Sequence, residues 1–110
     1  MAHNADDGER SSFLFRHLVA MFETLALQQL GKLVNPITGN VERDLRQARI
    51  TIDMLAMIRG KTAGNCEPDE KRLLDAVVTE LQMNYIDETR RADESVPKAE
   101  SEQSDPDRSN

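Results

Sequence analysis

The sequence predicts an all-α protein, a three-helix antiparallel bundle-like domain, on three observations. Apolar residues recur at helical spacing in three separate stretches; short connections rich in glycine and proline divide them; and no stretch alternates apolar and polar residues as a half-buried strand would. At 110 residues the chain holds one domain at most, and it shows no internal repeat.

The first helix is expected from about Ser12 to Leu30, with Ser11 or Ser12 as its cap and Gly31 as its stop. At 100° per residue, Leu14, Phe15, Leu18, Val19, Met21, Phe22, Leu25, Ala26 and Leu30 cover about half of its circumference. The second is expected from near Asp44, which forms a capping pair with Gln47, to about Gly60. It carries two apolar stripes: Leu45, Ala48, Ile52 and Leu55 on one side, Ile50, Met54, Met57 and Ile58 on the other. A helix with two apolar faces has to be covered on both. The third helix opens with Pro68 in its first turn, where Glu67, Asp69 and Glu70 suit the positive end of the dipole. Its single stripe is Leu73, Leu74, Val77, Val78, Leu81 and Tyr85.

The connections read as structural loops. Asn35, Pro36, Thr38 and Gly39 make the first a turn, because proline fixes φ and glycine admits positive φ. Lys61, Thr62, Gly64 and Asn65 make the second. A phosphate-cradling loop needs more glycines, a lysine and a preceding strand, and the first connection offers none of these. Domain boundaries follow: a flexible leader over 1–11, the helical domain over 12–88, and a disordered acidic tail over 89–110, rich in Asp, Glu, Ser and Pro.

The net charge of −6 sits mostly at the ends. Residues 12–87 carry ten acids against nine bases, and residues 88–110 carry seven against four. Without a basic stripe, nucleic acid is not an expected partner, nor is an anionic membrane surface. Arg16, His17, Glu23, Gln28 and Gln29 break the most apolar stretch, so membrane insertion is not expected either. A single cysteine and the absence of a secretory pattern point to the cytoplasm.

Chemistry finds little foothold. Of the two histidines, His3 lies in the leader and His17 on the polar side of the first helix. Cys66 reads as a small packing residue ahead of the third helix. No spacing of Cys, His and carboxylates matches a zinc or bundle-type metal site. No catalytic residue, cofactor or metal is therefore expected. Asp53, set among apolar neighbours, reads as a partner of Arg49 or else as a buried polar contact that fixes register.

Residues 13–87 resemble a small bacterial all-α family known as domain of unknown function eighteen forty-four. The resemblance rests on Asn35-Pro36 with Thr38-Gly39, Ala48 with Ile52-Asp53 and Leu55, Lys61-Thr62 with Gly64-Asn65, and Glu70 with Leu73-Leu74, Leu81 and Tyr85. Cys66 stands where a larger aliphatic residue is usual, and Glu67-Pro68 replaces a small cap. The family implies the fold and has no assigned activity, so it adds no mechanism.

Three helices cannot cover every apolar face described. The expectation is a self-associating or protein-binding module, most simply a homodimer built on the first two helices. Phe15, Phe22, Ile50, Asp53, Met54 and Met57 are the candidate interface residues. The alternative is a regulatory domain that holds an apolar small molecule between those two helices.

Overall fold

The computed structural model describes residues 5–95. Three helices follow in order: α1 (Ala5–Gln29), α2 (Leu45–Lys61) and α3 (Pro68–Ser95). Among the described residues there is no strand, only an isolated antiparallel bridge between Val34 and Val41. Each helix packs against both of the others.

The ends of the elements follow from local chemistry. Asp44 caps α2 by accepting the Gln47 N–H at 3.1 Å, as the sequence predicts. α1 stops at a Schellman turn: Lys32 donates to the Leu27 carbonyl at 2.8 Å and Gly31 to that of Gln28 at 3.0 Å, with Gly31 at φ 83°. At the start of α3, Glu70 reaches back to accept the Glu67 N–H at 2.8 Å, the returning half of a capping box.

Two boundaries differ from expectation. α1 begins at Ala5, so Ser12 is an interior residue and not a cap; its hydroxyl donates instead to the Glu70 carboxylate, tying α1 to the start of α3. Asp7 and Glu9 fall in the first turns, where negative charge favours the helix. α3 continues past 88 to Ser95, supported on its surface by the Asp87–Arg90 pair at 3.8 Å. The rest of the two expected tails, 1–4 and 96–110, lies outside the described residues.

The core is aliphatic. Val19, Ala26 and Leu30 of α1 and its end meet Ala48, Ile52 and Leu55 of α2 and Leu74, Val77, Val78 and Leu81 of α3, all buried. Thr51 is buried among them and donates its hydroxyl to Gln29 at 2.7 Å.

Two glycines test this account in opposite directions. A Cβ at Gly31 would meet the Arg43 side chain at 3.3 Å, at a φ that L residues avoid. Gly31→Ala is expected to lower unfolding stability by about 1–2 kcal/mol. Gly60 is helical with open space around it, so Gly60→Ala should raise stability by about 0.5–1 kcal/mol. Urea unfolding, read as a shift of midpoint at constant slope, checks both.

Candidate functional site: an open apolar face on the first two helices

α1 and α2 each carry two apolar seams. The inner seam of α1 runs through Phe15, Val19, Phe22 and Ala26, and that of α2 through Leu45, Ala48, Ile52 and Leu55; both are turned to the core. The outer seams remain open. On α1, Leu14, Leu18, Met21 and Leu25 are 39–58% exposed; on α2, Ile50, Met54 and Met57 are 36–50% exposed. Their steps of four, three and four residues, and of four and three, are the spacing of a knobs-into-holes seam.

The two outer seams converge on one side of the molecule. Leu25 and Gln28, at the end of the α1 seam, line the same concavity as Gln47, one turn before Ile50. α3 lies elsewhere on α1. Its start reaches Arg16 through Asp69 at 3.4 Å and Ser12 through Glu70, on the flank opposite the outer seam. α3 therefore covers one side of the α1–α2 pair and leaves the other bare.

Of the expected interface residues, Ile50, Met54 and Met57 lie on the open face. Phe15 and Phe22 do not: they are half-buried and packed against the core. Leu14, Leu18, Met21 and Leu25 stand in their place, because the seam one residue earlier is the one turned outward. Asp53 is 62% exposed at the border of this face and pairs with Arg49 at 3.5 Å. Among the described residues this is a surface pair and not a buried contact.

Near the end of the face, the concavity shared by α1 and α2 measures about 340 Å³. Gln28, Gln29, Glu42, Asp44 and Gln47 line it, a polar setting that an apolar ligand would not select.

The connecting loops are tightly held. In the first, Asn35 and Asn40 join through the Asn35 N–H at 2.8 Å, and the Gly39 N–H returns to the Asn35 carbonyl at 2.8 Å. The Asn35 side chain accepts from the Ile37 N–H at 2.8 Å, and that of Thr38 accepts from the Asn40 N–H at 3.3 Å. Pro36 and Gly39 complete the turn, with Gly39 at φ 75°. This frame holds Ile37 at the tip, 91% exposed. In the second loop, Lys61 ends α2 and Thr62 caps it, donating both N–H and hydroxyl to the Ile58 carbonyl. Gly64 turns the chain at φ 86°, and the Asn65 N–H closes onto the Thr62 carbonyl at 2.9 Å. Cys66 is half-buried beside Thr62. The Phe13 ring stacks on the exposed His17.

One cluster escaped the sequence reading. Glu88 is buried, with its side chain 7% exposed, and receives Lys32 at 2.7 Å, Arg43 at 3.0 Å and Arg91 at 3.9 Å. Lys32 and Arg43 stand on either side of the first loop, so one carboxylate on α3 clamps both of its ends. The available signal was periodicity: Glu88 falls seven residues after Leu81 on the core stripe of α3. The Lys32 ammonium hydrogen bond holds this carboxyl below the usual glutamate range; burial opposes it, while Arg43 and the charges of Lys32 and Arg91 reinforce it.

Among the described residues no group of three or more His, Cys, Asp or Glu side chains is placed to hold a metal, and no helix is long and apolar enough to cross a membrane. The fold and its open face define a small three-helix protein without strands among the described residues. The chain belongs to the family described as Domain of unknown function (DUF1844), whose profile matches residues 12–87. No curated protein and no solved structure matches the chain.

The Glu88 clamp has a defined pH signature. A carboxylate with a depressed pKa in the folded state stabilises fully above its unfolded value, about 4.5, and that contribution is lost as pH falls through the folded value. Glu88→Gln is expected to cost about 1–3 kcal/mol at pH 7. The difference from the parent should shrink progressively as pH falls below about 4.5, read in urea melts at pH 7 and through the acid range.

Proposed function

We propose that this chain is a non-catalytic protein-interaction module whose working surface is the outer face of α1 and α2. One observation carries the reading: seven large apolar side chains at heptad spacing, 36–58% exposed, lie on one side of two packed helices. Between Leu14 and Leu25, and between Ile50 and Met57, that flank bears no charged side chain; Asp53 only borders it. A contiguous apolar patch of this size is often functional. The spacing suits a helical partner, because heptad seams are filled by the ridges of a facing helix.

The concavity between the end of α2 and the start of α3, about 930 Å³ and lined by Arg59, Thr62, Cys66, Lys71 and Asp75, fits this non-catalytic reading as well. Cys66 has no histidine beside it among the contacts of the described residues, and Arg59 and Lys71 are directed onto Asp75 at 4.0 and 2.8 Å. The single unpaired cysteine fits a cytoplasmic setting, where thiols stay reduced.

The full chain, immobilised at one end, should retain a protein species that Leu18→Asp and Met54→Asp both release, since each places an unpaired charge in the contact. Mass spectrometry of the eluates reads the outcome. Equal retention by parent and variants would remove the face from the function.

A further inference from the structure

We infer that the occupant of the open face is a second copy of this chain, joined by a two-fold axis that sets α1 and α2 against their counterparts. The inference rests on the interaction reading above and names its partner.

Area is the first argument. At roughly 150 Å² for a free large apolar side chain, the seven half-open residues present on the order of 500 Å². A standard interface takes about 800 Å² from each partner, about three-fifths of it apolar. The face therefore supplies the apolar share of one complete isologous contact.

Self-complementarity is the second. A two-fold interface presents the same patch to itself, so every charge on it meets a like charge near the axis. This face is aliphatic and methionine-rich along its length, with Gln28, Arg46 and Gln47 at one end and the cations Arg10 and Lys61 at the other. The centre of the face, where the two-fold axis would pass, carries no charge, so two copies meet there without like-charge conflict. A different protein would ordinarily be selected by complementary charge, which the centre of the patch lacks.

Seam geometry is the third. Leu14, Leu18, Met21 and Leu25 need a facing helix with knobs at the same period, and so do Ile50, Met54 and Met57. A second copy brings two such helices already packed side by side. The product is a four-helix arrangement of the two α1–α2 pairs with an α3 on each outer side. Met21 and Met54 lie toward its middle, where an adaptable side chain fills residual gaps.

Sedimentation equilibrium of the full chain over a hundredfold range of concentration tests this. The parent is expected at twice the 12.4 kDa chain mass. Leu18→Asp and Met54→Asp should each raise the dimer dissociation constant at least a hundredfold with the helical circular dichroism retained. Met83→Asp, on an exposed α3 methionine, should leave the dimer intact. Should an Asp variant lose helicity, Met21→Gln and Met57→Gln take its place, with the same expectation of weakened association. A parent that stays monomeric throughout overturns the inference, as does a dimer that the seam variants leave unchanged. If a monomeric parent still retains a different protein that Leu18→Asp and Met54→Asp release, the second copy is excluded and the interaction reading stands. If it retains nothing that depends on the seam, both fail.

Discussion

α1 and α2 each bear two apolar seams, and a single further helix can cover only one side of a helix pair. This geometric constraint organises the molecule. α3, with one clean stripe, seats Leu74, Val77, Val78 and Leu81 against the inner seams and closes the core. Every residue of the outer seams is then left between one-third and three-fifths exposed. No rearrangement of three helices of these compositions buries both sets, since turning α1 by one residue position exchanges Phe15, Val19 and Phe22 for Leu14, Leu18 and Met21. The surplus apolar surface thus follows from the composition of two helices, and the packing decides only which half of it shows.

The polar contacts secure that choice at both ends of the bundle. At one end Glu70, buried, holds the Glu67 N–H and the Ser12 hydroxyl, which sets the start of α3 against α1. At the other Glu88 draws Lys32 and Arg43 onto α3 and so sets the loop and the entry to α2. A buried carboxylate without partners is costly, so each of these groups tolerates little displacement of the elements that satisfy it. Between the two, the Thr51–Gln29 hydrogen bond fixes α2 against the end of α1. The three contacts are spread along the bundle and restrict sliding of its helices, which an aliphatic core alone resists weakly.

The helices, their order, the Asp44 cap, the Gly31 stop and the α3 stripe were legible in the sequence because each is written in local spacing or capping chemistry. So was the existence of two faces on α2, whose apolar stripes lie on opposite sides. On α1 the two seams are offset by a single residue and merge into one broad arc, so spacing alone does not say which is inward. Phe15 and Phe22, the largest side chains of that arc, resemble interface anchors by type yet pack on the core. Glu88 was hidden for another reason. Arg43 lies 45 residues away along the chain and Lys32 farther still, and a carboxylate on a core stripe declares its role only when the cations beside it are known. Ser12 shows the same limit: a serine ahead of an apolar run reads as a cap, but α1 begins earlier and the hydroxyl serves a long-range contact.

Size gives the open face an energetic meaning. A core of ten buried aliphatic residues among those described belongs to a domain small enough that folding stability is modest. Burial of a further 500 Å² or so of apolar surface, at about 25 cal/mol per Å², is worth on the order of 10 kcal/mol before the costs of association are met. That gross gain rivals the whole stability of a domain of this size. Occupation of the face therefore couples to folding by mass action: whatever binds the folded chain and not the unfolded one raises its stability in proportion to the logarithm of its concentration. If the face is occupied as proposed, the stability of the core would rise with the concentration of whatever covers these half-buried seam residues.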